Sequence, residues 1–273
     1  MPANLDQAKG GGVGTRGRPR QRVVLLGASN LTRGISTVVR LAQLTFDGPL
    51  EVVAALGAGR SYGVTSRVLV RELPGIDGCA LWDALASRSR LPTSALLTDI
   101  GNDIFYGATV EQIVGWVERS LDRLAKHNAT IVMTLLPADN AEQISAWRFR
   151  LLRRMMFRNC TLELGEVQAT IQEINERLRA VARQRSIQLV AQRADWYGFD
   201  PIHIRFDRWP RAWSEILSTW RRDSEKNFSP APSLSRWLYL RSLPPHERTI
   251  FGRLQRAHQP AGRLADGTTI SFY

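Results

Sequence analysis

From residue 21 onward the chain alternates between short apolar runs and longer stretches in which apolar residues recur every three or four positions. The first run, Val23-Val24-Leu25-Leu26, stops at Gly27. A run with no polar face reads as a strand buried on both sides of a sheet. The same pattern returns in Leu50–Leu56, which ends at Gly57-Ala58-Gly59, and in Ala95–Ile100, which ends at Gly101-Asn102-Asp103. Thr130–Leu136 ends at Pro137, and Ile187–Val190 runs into the loop 191–208. Between these strands, Ile35, Val38, Val39, Leu41 and Leu44 mark a helix over about 31–46. Ile113, Val114, Val117, Leu121 and Leu124 mark another over about 110–127. Further helical spacing covers about 141–157, 166–184 and 210–222, and Val64–Leu73 reads as a short helical segment closed by Pro74-Gly75.

Repeated strand–helix units with buried strands predict a mainly parallel, five-stranded sheet covered by helices on both faces. With right-handed crossovers this is a doubly wound, flavodoxin-like α/β/α sandwich of three layers. The core is expected over residues 21–222. Residues 1–20 are polar, glycine-rich and basic and read as a disordered tail. Within that tail Gly12-Val13-Gly14-Thr15-Arg16-Gly17 spells a dinucleotide fingerprint, but it precedes the first strand and so has no helix N-terminus to extend. After residue 222 the periodicity fails, and 223–273 reads as an appendage of unassigned role in which Asp266-Gly267 could turn a terminal hairpin.

Composition narrows the picture. The formal charge of +12 invites a nucleic-acid reading, yet Lys9, Lys126 and Lys226 are the only lysines and the arginines are scattered rather than gathered in one stripe. No specific nucleic-acid partner is expected. Cys79 and Cys160 have no metal-ligand spacing and suggest no disulfide framework, and no apolar run reaches signal-peptide or membrane-spanning length. The expectation is a cytoplasmic protein without metal or cofactor, acting on a small-molecule or acylated substrate.

The chemistry is concentrated at the strand ends. Ligands of open α/β sheets bind at the carboxyl ends of the strands, where this chain places Ser29, Gly57, Gly59 and Asn102. Taken by itself Ser29 reads as a helix cap. Taken together, the residues offer a hydroxyl nucleophile, backbone donors for an oxyanion, and an uncharged amide donor. Asp200-Pro201-Ile202-His203, in the loop after the fifth strand, adds a general base in His203 and a carboxylate, Asp200, to hold its imidazole in the useful tautomer.

These residues resemble the SGNH hydrolase superfamily, the GDSL-type esterases and lipases, whose sequence blocks supply Ser, Gly, Asn and His in that order. Gly27-Ala28-Ser29-Asn30-Leu31-Thr32 is similar to the first block, Gly59 to the second, Gly101-Asn102-Asp103 to the third, and Asp200-x-x-His203 to the last. The resemblance spans roughly residues 23–222. It implies Ser29, Asp200 and His203 as a catalytic triad, and the Ser29 and Gly59 N–H groups with the Asn102 amide as an oxyanion hole. Gly57 stands beside Gly59 as an alternative. The chain departs from the pattern in carrying Ala28 where the family usually has Asp, and in lacking the asparagine that commonly precedes the second-block glycine.

The implied activity is hydrolysis of a carboxylic ester, with thioesters and O-acetyl groups in the same class, through an acyl-enzyme on Ser29. An alcohol acceptor in place of water would make the same site an acyltransferase, and a third reading is a non-catalytic scaffold that keeps the fold. Arg33, Arg60 and Arg205 stand close in sequence to these residues and would suit an anionic acyl or alcohol group. One motif competes. Gly59-Arg60-Ser61-Tyr62-Gly63 matches the G-x-S-x-G nucleophile elbow. That reading leaves Ser29 and Asn102 unexplained, so Ser61 is expected as a helix cap beside the oxyanion site.

Overall fold

In the computed structural model, which describes residues 17–138, 149–150, 161–221 and 233–273, strand β1 (Gln21–Leu26) runs through the middle of the main sheet with Val23 to Leu26 fully buried. It pairs in parallel with β2 (Leu50–Ala55) on one side and with β5 (Thr93–Leu97) on the other. Beyond β5 follow β6 (Thr130–Thr134) and β7 (Gln188–Val190), again parallel. All five strands read from the apolar runs are present. The chain goes from β1 outward to β2 and then returns across β1 to β5, so the strand order reverses beside β1. A crevice opens at such a reversal, at the carboxyl ends of the strands.

The alternation of side chains along β1 separates two cores. Val23 and Leu25 pack with α1 (Ser29–Phe46) and α6 (Trp209–Ile216). Val24 and Leu26 pack with α2 (Leu81–Ser87), α4 (Val110–Ala125) and α5 (Leu164–Gln184). This is the three-layer arrangement. α4 starts with a capping box in which Gln112 N donates to Thr109 Oγ1 at 3.3 Å and Thr109 N donates to the Gln112 side chain at 2.9 Å. α1 meets α6 at Gly34, where a Cβ would fall 2.2 Å from Trp213 Nε1. Only glycine lets the indole approach that closely. Among the described residues no helix is long and apolar enough to cross a membrane.

Two regions differ from expectation. The segment read as a helix over Val64–Leu73 forms an antiparallel hairpin of β3 (Ser66–Val68) and β4 (Arg71–Leu73). Its apolar residues have no helical stripe to bury: Leu69 is 91% exposed and takes a left-handed φ of 55° at the turn, while Val64 and Val70 are also exposed. Across the pair Arg67 and Glu72 stand opposite one another and form an ion pair at 2.9 Å. β8 (Glu247–Ile250) and β9 (Arg253–Arg256) extend this hairpin into a second, four-stranded sheet.

The described part of the stretch read as an appendage, residues 233–273, is built into the molecule. Helix α7 (Leu234–Ser242) docks on α1, with Trp237 Nε1 donating to the Arg33 carbonyl at 2.9 Å. The chain then forms a hairpin of β10 (Gly262–Arg263) and β11 (Thr269–Phe272) around Asp266-Gly267, as its turn residues suggest. β11 pairs in parallel with β2 and widens the main sheet to seven strands. The Gly12–Arg16 part of the decoy fingerprint, most of the helical pattern at 141–157, and Cys160 lie outside the described residues.

Candidate active site

β1 ends at Leu26, and Gly27 makes the turn because a Cβ there would come 2.7 Å from Thr98 Cγ2 and 3.0 Å from a methyl of Leu31. Ala28 occupies the N-cap position of α1 and offers no side chain to the helix, whose first turn also holds no acidic residue. The capping group comes from the neighbouring strand end. Asp99 Oδ2 accepts from Ala28 N at 2.9 Å and from Leu31 N at 3.1 Å, and Asp99 Oδ1 accepts from Asn30 Nδ2 at 2.9 Å. Asp99 takes a left-handed φ of 59°, a conformation that aspartate tolerates better than most residues. With the helix capped by Asp99, Ser29 is not needed as a cap. Among the described residues its hydroxyl makes no hydrogen bond, and it sits in the first turn of an 18-residue helix, at the positive end of the dipole.

Asn30 joins this turn to the loop that carries the histidine. Its Nδ2 also donates to the Ile202 carbonyl at 3.0 Å, and its Oδ1 accepts from Ile204 N at 2.8 Å. One side chain therefore grips the residue before His203 and the residue after it. Within the loop, His203 Nδ1 lies 2.6 Å from Asp200 Oδ2, and Asp200 Oδ1 accepts from Ile202 N at 3.0 Å and His203 N at 3.3 Å. Partial burial pushes the Asp200 carboxyl up, but the hydrogen bond and charge of His203 and these two N–H groups outweigh it, leaving the group below its ordinary value.

Asn102 begins the short helix α3 (Asn102–Phe105), and its Nδ2 donates to the Arg60 carbonyl at 3.1 Å. Gly59, with a left-handed φ of 67°, is held from the other side by Tyr106, whose hydroxyl donates to the Gly59 carbonyl at 2.7 Å. Asp103 completes the attachment of this loop: its carboxylate accepts from the Ser61 hydroxyl and from Tyr62 N at 2.9 Å. Burial pushes the Asp103 carboxyl up, against the pull of these donors. Ser61 is fully buried, and its Oγ also accepts from Gly63 N at 3.0 Å and Val64 N at 2.8 Å. No helix follows it, so the cap expected there closes a turn instead. Arg60, one of three arginines close in sequence to the site, is turned inward and donates to the carbonyls of Leu56, Pro74 and Tyr273.

The sequence-predicted residues fall into connected groups. Ser29 and Asn102 line one cavity of about 110 Å³, whose other described walls are largely apolar and include Ile104, Phe105, Leu136 and Phe149. Asp200 and His203 form a bonded pair that lines a separate cleft on the other side of their loop. Among the described residues no hydrogen bond joins Ser29 Oγ to His203, and neither Gly57 nor Gly59 lines the Ser29 cavity. Gly57 is where a Cβ would strike Leu73 at 2.3 Å, whereas at Gly59 the nearest atom is Val68 Cγ2 at 2.6 Å. Asn30 and Asp103 stand inside the sequence blocks without an assigned role, and Asp99 lies outside them. The one local signal was the absence of a capping side chain at Ala28, which required a donor-satisfying group from elsewhere.

No family model matches the chain. No curated protein matches it either. Solved structures do. It is similar to the esterase EstA from Pseudoalteromonas sp., in a structure inhibited by monoethylphosphonate, at 14% identity and a TM-score of 0.46 over 72% of this chain and 97% of that one. It is similar to a member of the lipolytic G-D-S-L family from Veillonella parvula at 12% identity and a TM-score of 0.47, over 73% and 97% of the two chains. It is also similar to the aryl esterase of M. smegmatis at 14% identity and a TM-score of 0.48, over 72% and 97%. At these identities the functional reading rests on the geometry of the site itself.

Proposed function

We propose that the chain is a serine ester hydrolase with Ser29 as nucleophile, His203 as general base and acid, and Asp200 as the group that orients His203. The observation that carries this reading is the double grip of Asn30 on Ile202 and Ile204, which holds the histidine loop against the turn bearing the unspent Ser29 hydroxyl. In the reaction His203 Nε2 takes the Ser29 proton as Oγ bonds to the acyl carbon. Asp200 keeps the Nδ1–H in place and stabilises the imidazolium. The Ser29 N–H and the Asn102 amide, which border the same cavity, receive the developing oxyanion. The acyl–oxygen bond then breaks, and the proton on His203 goes to the departing alcohol. Water attacks the acyl-enzyme, gives its proton to His203, and releases the acid and the free serine.

The test is labelling with a fluorophosphonate followed by peptide mapping, beside turnover of short chromogenic esters. The expected result is a single adduct on Ser29, lost in Ser29→Ala, with turnover lost in parallel. Asn102→Ala should lower kcat by about two to three orders of magnitude, the usual effect of losing one oxyanion donor. An adduct on Ser61, or a folded protein that neither labels nor turns over any ester, overturns the assignment.

A further inference from the structure

The two cavities flanking the 200–203 loop have opposite chemistry. The Ser29 side is apolar. The other side is an open cleft of about 470 Å³ that holds Asp200 and His203 together with Arg33, Arg205 and Arg241, and its remaining wall is largely aromatic, including Phe199 and Trp237. The arginines come from three separate parts of the chain: the first turns of α1, the loop after β7, and the last turn of α7. Convergence from distant segments distinguishes this cleft from the scattered surface arginines elsewhere.

Their charges are incompletely matched. Arg205 is engaged with Asp207 at 2.9 Å, and Arg33 stands 4.0 Å from the Asp200 oxygen that already binds His203. Arg241 pairs with no carboxylate among the described residues; its guanidinium lies over the Trp237 ring at 4.6 Å from the centroid. A further cation stands close by. Arg71, on β4, donates to the Ala58 carbonyl at 3.1 Å, within the Gly57–Gly59 loop. Burial pushes the Arg71 guanidinium down, and the like charges of Arg248 and Arg241 push it further. Guanidinium groups held near one another without a counter-ion repel, and a bound anion removes that penalty.

Resting on the ester-hydrolase reading, we propose that this cleft receives the leaving group and that the preferred leaving group is an alcohol bearing a phosphate. The geometry assigns the two sides. The acyl carbon bonds to Ser29, so the acyl chain takes the apolar cavity, while the departing oxygen must meet the proton held by His203 and therefore leaves through the arginine-lined cleft. Only the acyl–oxygen bond breaks and only the alcohol oxygen is protonated; the phosphate stays intact and serves as the handle. Guanidinium forks match the oxygens of a phosphate in pairs, and an aromatic wall suits the carbon frame between phosphate and ester.

The experiment compares acetyl esters of one alcohol in three forms, phosphorylated, carboxylated and neutral, with acetate release as the readout. The phosphorylated ester should be preferred over the neutral one by about ten-fold or more in kcat/KM, mostly through KM, and the preference should shrink as salt rises. Arg241→Gln should bring the ratio between phosphorylated and neutral esters close to one, and inorganic phosphate should compete with the neutral ester in the wild type but far less in that variant. A merely structural role for Arg241 would depress all three esters together and leave the ratio standing. Equal use of phosphorylated and neutral esters by the wild type overturns the proposal, as does preference for the carboxylated ester. Failure of the ester-hydrolase reading would show differently, as no acetate from any of the three and no fluorophosphonate adduct.

Discussion

Asp99→Asn isolates the contribution of the carboxylate that caps α1. The substitution keeps shape, and asparagine tolerates the left-handed backbone at this position as aspartate does, so the change acts through hydrogen bonds rather than strain. Asp99 accepts three of them, from the N–H of the N-cap residue Ala28, from Leu31 N in the first turn of α1, and from Asn30 Nδ2. A carboxamide has one acceptor oxygen. If that oxygen faces Ala28 N and Leu31 N, its NH₂ meets the Asn30 NH₂. Turning the Asn30 amide over to relieve that clash would break the bonds to Ile202 O and Ile204 N. Either arrangement loses at least one charge-assisted bond, worth about 1.5–3 kcal/mol, and weakens the remaining two. A total near 2–3 kcal/mol corresponds to a fall in Tm of about 4–10 °C for a chain of this size. Because the histidine loop is held by Asn30, kcat should fall by about ten-fold or more in the same variant. The assay is a thermal melt beside initial rates on one chromogenic ester. A Tm within 1 °C of wild type together with an unchanged kcat would show that Asp99 neither caps the helix nor supports the histidine.

Three further outcomes are expected. Ser61→Ala removes a buried hydroxyl that satisfies Gly63 N, Val64 N and Asp103, so stability should drop by about 1–3 kcal/mol in a denaturant titration while the fluorophosphonate still labels Ser29. Asp200 has a folded-state pKa below its ordinary value, so its stabilising contribution is complete above about pH 3.9 and fades as pH falls through that lower value. Wild type and Asp200→Asn should therefore differ in Tm at neutral pH and converge as acid protonates Asp200; equal Tm values at neutral pH would contradict the pairing with His203. The Ser29 cavity of about 110 Å³ is smaller than the roughly 150 Å³ cavity known to hold a benzene ring, so rates should be highest for acyl chains of about two to four carbons and fall beyond them. A rate that climbs through about eight carbons would place the acyl chain elsewhere.

The parallel strands were legible because each is buried on both faces, and complete burial leaves a mark that needs no partner to be read: Val23 to Leu26, and Ala95 to Leu97, are all fully buried. The second sheet left no such mark. Its strands are three or four residues long and half exposed, so Val64–Leu73 offers neither a clean two-residue nor a clean helical period. The terminal hairpin was visible in Asp266-Gly267, but its place beside β2 was not, since Thr269–Phe272 pairs with residues more than 200 positions earlier in the chain and no local pattern encodes that choice.

The site divides along the same line. The proposed site residues Ser29, Asn102, Asp200 and His203 are legible as candidates because each sits at a strand end or in a short spaced motif. Asp99 and Asn30 are not, because their work consists of bonds across the fold, from Asn30 to residues 69 and 174 positions away. Ala28 shows what this costs a reading from sequence. Where the family it resembles usually places a carboxylate just before the serine, this chain has the methyl group of Ala28, which cannot cap the first turn of α1. The structure supplies a carboxylate to that same turn from the end of β5, through the bonds of Asp99 to Ala28 N and Leu31 N. Moving the acid from position 28 to the next strand leaves the helix capped and the Ser29 hydroxyl unspent, and it adds a third bond, to Asn30, by which the capping carboxylate and the histidine loop share one amide. Under this arrangement the group that caps the helix also sets the position of His203, so variants at Asp99 and Asn30 should couple in a double-mutant cycle, the pair costing less than the sum of the singles.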